Sequence, residues 1–135
     1  MLKTLVFYLV TLIMLGCAAS PTAKDEQQRV ISHVQVEVRG KQAEDRPTME
    51  SVCKGFALSE KQVRDFFAHA ASISEIEPNS RYNILPCYSS GTAKINHEKY
   101  NWTIRSGGVG EFYNDKDKII KICGKNCCTK VTNIC

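Results

Sequence analysis

Polar and apolar residues alternate cleanly in the stretch VISHVQVEVRG (30–40). Val34, Val36 and Val38 fall on one side, and Gln35, Glu37 and Arg39 on the other. Period two is the mark of a half-buried strand. His33 then faces away from the valine stripe. Residues 41–50 are polar around Pro47 and read as a loop. The period changes at Leu58-Ser59-Glu60-Lys61-Gln62-Val63. Ser59 can accept from the amide three residues on, Gln62 can reach back to the Ser59 amide, and Leu58 and Val63 occupy the two staple positions. Val63, Phe66, Phe67, Ala70 and Ile73 follow at helical spacing. The pairs Glu60/Arg64 and Lys61/Asp65 are four apart, each worth a few tenths of a kcal/mol on an exposed helix face. The pattern predicts a helix over about 60–72, with Pro78-Asn79-Ser80 closing the segment.

The second half reads as an antiparallel meander. CYSSGTAKI (87–95), KYNWTIRS (99–106), EFYN (111–114) and KIIKIC (118–123) are strand-like. They are separated by turn signals at Asn96-His97-Glu98, Gly107-Gly108-Val109-Gly110 and Asn114-Asp115-Lys116-Asp117. The glycines of SGGVG fit a hairpin that needs positive φ. Trp102, alternating with Tyr100 and Ile104, belongs on the packed side. The expected fold is α+β: one main helix on a three- to four-stranded antiparallel sheet, stapled by disulfides.

The N-terminus follows another logic. Met1-Leu2-Lys3 carries one positive charge, Thr4 to Leu15 is almost wholly apolar, and Gly16-Cys17-Ala18-Ala19-Ser20 is small. That is the layout of a secretory signal, and the apolar run is shorter than the about 20 residues of a membrane span. Met14-Leu15-Gly16-Cys17 resembles the lipobox of bacterial lipoproteins. The resemblance implies cleavage after Gly16 and diacylglycerol on the Cys17 sulfur. Acyl chains contribute about 0.8 kcal/mol per buried methylene, so two or three hold a protein at a bilayer for good. Ala18 in the next position is similar to an outer-membrane address. Residues 20–29 (SPTAKDEQQR) lack aromatic residues and form a tether reaching roughly 20 Å. The expected layout is a signal peptide at 1–16, a lipidated tether at 17–29 and one domain at 30–135 with a cysteine-rich tail. Its expected place is the periplasmic side of the outer membrane, or the cell membrane in a bacterium with only one.

Charge adds little. The chain has 135 residues and a formal net charge of +4. Loss of Lys3 with the signal lowers that balance, so nothing points to nucleic acid. The cysteines add more. There are seven, an odd number in an exported chain. Lipidation of Cys17 leaves Cys53, Cys87, Cys123, Cys127, Cys128 and Cys135 for disulfides in an oxidising compartment. A Cys53–Cys87 bridge would clamp the helix to the sheet, leaving the others to staple the tail, but spacing leaves the connectivity open. Cys123-x3-Cys127-Cys128-x6-Cys135 lacks the paired C-x2-C knuckles of common zinc sites, and neighbouring Cys127 and Cys128 are awkward ligands for one ion. Disulfides are therefore expected, and no metal or cofactor.

Catalytic chemistry finds no foothold in the sequence. There is no C-x-x-C motif of the redox type. His33, His69 and His97 read as surface imidazoles. SGGVG lacks the Gly-Lys-Ser/Thr of a phosphate loop. NWT (101–103) matches a glycosylation sequon but falls on a predicted strand. The lysines at 116, 118, 121, 125 and 130 make the C-terminal third basic, and Tyr82, Tyr88, Tyr100, Trp102 and Tyr113 crowd the same half. A lysine run is ordinarily a solvated face; its sharper reading is an electrostatic patch. Tyr88, Tyr113, Lys116, Lys118 and Lys121 are the candidate partner surface.

Cys53-x2-Phe56, Gln62-Val63-x2-Phe66-Phe67, Pro86-Cys87-Tyr88-x2-Gly91-Thr92 and Cys123 together resemble a recurring pattern in small exported bacterial proteins. The resemblance covers about half the chain and implies a shared fold without functional residues. The tail after Cys123 looks like an addition. The expectation is a non-enzymatic lipoprotein, held to the membrane by its lipid, that binds another envelope protein in an immunity, inhibitor or accessory role. The alternative is a binder of a small ligand or an envelope polymer.

Overall fold

The computed structural model describes residues 29–42, 50–74 and 86–135. Cys17, the lipobox, the tether as far as residue 28, Pro47, Tyr82 and the stop at Pro78-Asn79-Ser80 lie outside the described residues. The elements are β1 (Ile31–Gln42), α1 (Glu50–Cys53) continued by a 3-10 turn (Lys54–Phe56), α2 (Glu60–His69), β2 (Ala71–Ile73), β3 (Cys87–Ile95), β4 (Glu98–Arg105), β5 (Val109–Tyr113), β6 (Lys118–Ile122) and α3 (Lys125–Lys130). All strands belong to one antiparallel sheet in the order β1-β3-β4-β5-β6-β2. The sheet has six strands, against the three or four expected, and it rather than the helix dominates the architecture. The meander β3–β6 forms its centre. β1 joins at one edge and β2 at the other.

α2 begins where its sequence says. The Gln62 amide donates to Ser59 Oγ at 3.2 Å and the Ser59 amide donates to Gln62 Oε1 at 2.9 Å, closing the capping box with Leu58 and Val63 both fully buried beside it. It ends earlier than its periodicity suggests. Ala70 is already extended, and Ala71, Ser72 and Ile73 pair with Ile122, Lys121 and Ile120. Ladder bonds to β6 outweigh one more helical turn, and Ile73 becomes a strand residue.

The apolar side of α2 lies on the inner face of the sheet. Phe66 and Phe67 both pack on Phe112, the second edge-on with centroids 5.0 Å apart. Burying two such rings contributes about 1.5–3 kcal/mol each. Gly110 lets the helix approach: a Cβ there would come within 2.5 Å of Phe66. Trp102 is fully buried on this face, with its Nε1–H donating to the Thr92 carbonyl at 3.0 Å.

A second knot ties β1 and the 53–58 segment to β3. Ser89 is fully buried. Its hydroxyl donates to the Phe56 carbonyl at 2.7 Å and accepts from the amides of Gly40 at 3.2 Å and Leu58 at 3.3 Å. Gly40, at φ +58°, lies so close to the chain below that a Cβ would meet the Cys53 carbonyl oxygen at 2.4 Å. The disulfide Cys53–Cys87 spans the same crossing. In the chain-entropy view, closing a loop of this separation contributes about 3–4 kcal/mol.

The hairpins have the turns their residues ask for. Asn96 and His97 both have positive φ, the geometry of a two-residue type I′ hairpin. Between β4 and β5 the Gly108 amide donates to the Arg105 carbonyl at 3.2 Å, and Gly107 and Gly108 supply the positive φ of the connection. Asn114 Oδ1 accepts from the amides of Lys116 and Asp117, closing the β5–β6 turn. At that end Tyr100 donates to Asp117 at 2.9 Å and Arg29 pairs with Asp117 at 3.6 Å.

Two outcomes follow. Ser89→Ala strands two buried amides and one carbonyl, and should lower unfolding free energy by about 1–3 kcal/mol in urea titrations of the oxidised protein. Burial first, and then the bond to Asp117, raise the Tyr100 pKa above the usual phenol value. The neutral phenol is the form the fold favours. Its contribution is complete below about pH 10 and is lost as pH rises beyond that. The denaturation midpoint should fall on the alkaline side of pH 10, and less steeply in Tyr100→Phe.

Candidate interaction face

With α2 on one face, the opposite face of the sheet carries the other half of each alternation. On β3 it shows Tyr88, Ser90, Thr92 and Lys94, and on β4 Lys99, Asn101, Thr103 and Arg105, paired Tyr88–Arg105, Ser90–Thr103, Thr92–Asn101 and Lys94–Lys99. β5 adds Glu111 and Tyr113 opposite Thr103 and Asn101, and β6 adds Lys118 opposite Tyr113. β1, broken by bulges, brings Lys41 opposite Tyr88, with Glu37 and Arg39 exposed along the edge. Toward β2 the face turns apolar at Val109, Ile120 and Ile122, which are buried but stand outside the main core cluster.

This surface is a hydroxyl- and amide-rich plateau ringed by cations, with one tyrosine at each of two diagonal corners. Glu111 is the one carboxylate among these paired positions of β3–β6, and it is engaged by Lys118 at 3.5 Å. Lys94 and Lys99 sit directly opposite each other. Like charges in register across a strand pair cost roughly 0.2–1 kcal/mol, so the fold tolerates a local repulsion here that it does not need.

Of the residues expected from sequence to face a partner, Tyr88, Tyr113 and Lys118 lie on this plateau and Lys116 lies on its rim in the β5–β6 turn. Tyr113 is 41% exposed. Lys121 does not join them. Its register partner is Gly110, on the helix side, where its Nζ donates to the Ala70 carbonyl at 3.1 Å and sits 4.7 Å above the Phe67 ring. Lys94, Lys99, Arg105, Thr92 and Thr103 escaped the sequence reading. The alternation of 87–95 and 99–106, read for its polar rather than its apolar half, would have found them.

A second concavity, a groove of about 810 Å³, lies between the start of β1, the C-terminal half of α2 and β2. Its walls include Val30, Arg64, Asp65, Phe67, Ala71 and Lys121. Among the described residues no histidine stands beside a free thiol: the described cysteines pair as Cys53–Cys87, Cys123–Cys127 and Cys128–Cys135, and His33, His69 and His97 are exposed. None of the described helices is long and apolar enough to cross a membrane.

Comparison of the chain with protein-family models, with curated proteins and with solved structures finds no match.

The Lys94–Lys99 repulsion has a measurable consequence. Lys94→Glu turns it into an opposite-charge pair and should raise stability by about 0.2–1 kcal/mol in chemical denaturation, with the gain shrinking at high salt.

Proposed function

We propose that this chain is a lipid-anchored envelope protein that works by binding another protein through the plateau on β3 and β4. The observation that carries the reading is that plateau: a polar face, rich in Lys and Arg, with tyrosines at its corners and a like-charge pair that an acidic partner would relieve. Tyrosine offers large contact area with a polar edge, and rings of cations steer an acidic partner into place. The sequence signals at residues 1–29 supply the membrane half of the proposal, with Cys17 as the acylated residue and the outer membrane as its place. The role is recognition rather than catalysis, of the immunity, inhibitor or accessory kind.

The test places a photocrosslinking residue at Thr92 or Thr103 in the full chain expressed in its own cells, and at Ala68 on the exposed side of α2 as control. One protein adduct common to both plateau positions, absent from Ala68 and lost with Lys94→Glu/Lys99→Glu, is the expected result. No adduct at the plateau overturns it. Adducts with lipid or glycan at Ala68, beside the groove, would favour the small-ligand or envelope-polymer alternative. Separately, Cys17→Ser should shift the protein out of the membrane fraction.

A further inference from the structure

The tail from Lys118 to Cys135 holds Lys118, Lys121, Lys125 and Lys130 and no acidic side chain. Its cysteines converge on one spot. Cys123 bridges to Cys127 and Cys128 to Cys135, and the sulfurs of Cys123, Cys128 and Cys135 all lie within 4.8 Å of one another. Cys127 is bonded to Cys123, which places its sulfur beside this trio. Neighbouring residues on a helix point about 100° apart, which in sequence argues against Cys127 and Cys128 serving one centre. Here the end of β6 approaches that centre from one side and the last residues of the chain from the other, so both helix cysteines find partners.

The bridges are not the only thing that gathers these sulfurs. Val131 and Ile134 are buried in the core. The Gly107 amide donates to the Ile134 carbonyl at 3.0 Å and the Cys123 amide to the Gly108 carbonyl at 2.7 Å. Gln62 Nε2 donates to the Thr132 carbonyl at 2.9 Å, and Asn133 Nδ2 to the Gly55 carbonyl at 2.8 Å. None of these contacts involves sulfur, so none is cut by reduction. Gly108, at φ +84°, lies against the cluster, where a Cβ would come within 3.0 Å of Cys123 and 3.5 Å of the Cys135 sulfur.

We propose that, once a dithiol has reduced both tail bridges, Cys123, Cys127, Cys128 and Cys135 form a tetrathiolate site for a thiophilic divalent cation, zinc above all. Each bridge takes two electrons and two protons from the dithiol, which closes to its own disulfide, and two thiols result. Binding then exchanges four S–H protons for four metal–sulfur bonds, releases the protons and leaves a net charge of −2 at the centre. With Zn–S near 2.3 Å, a tetrahedron needs sulfurs about 3.8 Å apart; those of Cys123, Cys128 and Cys135 already lie within 4.8 Å of one another, and Cys127, released from Cys123, turns in as the fourth. Lys125 and Lys130, on the same short helix as Cys127 and Cys128, add positive charge to this end of the chain. Metal and disulfides are alternative states of one cluster, so oxidation expels the ion. This inference does not depend on the plateau or its partner.

The test uses the full chain purified in detergent, oxidised or anaerobically reduced and freed of reductant, titrated with cobalt(II) alone. The reduced chain should take up one cobalt per chain with the d–d and sulfur charge-transfer bands of a tetrahedral thiolate, and zinc should displace it. The oxidised chain should bind none. Cys128→Ser should weaken binding at least tenfold, while Cys53→Ser/Cys87→Ser keeps it. A reduced chain without the tetrahedral spectrum overturns the proposal, and so does equal affinity in Cys127→Ser/Cys128→Ser. If reduction unfolds the chain, cobalt must restore the fluorescence of buried Trp102; failure to do so also counts against it.

Discussion

Everything about how this molecule presents itself depends on the crossing at Ser89. There a single hydroxyl serves three backbone groups drawn from β1, the 3-10 turn and the approach to α2. The Cys53–Cys87 bridge and the missing side chain at Gly40 hold the strands and the turn at that distance. A buried hydroxyl with all its capacity used is a rigid joint, because each partner left unpaired would carry its full desolvation cost. The joint fixes Leu58 and Ser59, Ser59 starts α2, and α2 in turn can only lie on the inner face. With the inner face taken, Lys94, Lys99 and Asn101 stay exposed on the outer one among the described residues.

Local chemistry was legible in the sequence and long-range pairing was not. Ser59 and Gln62, the turn at Asn96-His97-Glu98 and the glycines at 107 and 108 each act within a few residues, and the structure places them as their chemistry requires. Trp102 was equally readable, because alternation fixes which way a side chain points; on β1 the bulges break the valine stripe, keeping Val34 and Val36 on the core and setting Val38 opposite Ser90. β2 was hidden. Ala70 and Ile73 continue a helical spacing, and only the presence of Ile120 and Ile122 alongside makes Ala71 to Ile73 a strand. That β1 borders β3 is likewise a contact across about fifty residues of sequence, which no local pattern records.

Lys121 shows a different failure. KIIKI has apolar residues on both parities, so alternation cannot say which side is buried. Long lysine stems lie along apolar surface while the ammonium reaches a polar atom. Here the stem crosses Phe67 and the ammonium finds the end of α2. A run of lysines read as one solvated patch therefore splits between two faces of the sheet. The plateau gained other cations in exchange, from β3 and β4, where they were interleaved with core residues and drew no notice.

The described chain starts at Arg29, and Val30 is already tied at both its amide and its carbonyl to Asn96, immediately ahead of the longest strand. Tension drawn along that strand from the N-terminal side would load the β1–β3 ladder lengthwise. Its bonds would share the load in shear instead of parting one after another. A molecule built this way resists being peeled open by a pull on the N-terminal side of β1, because that pull falls on many β1–β3 pairs at once.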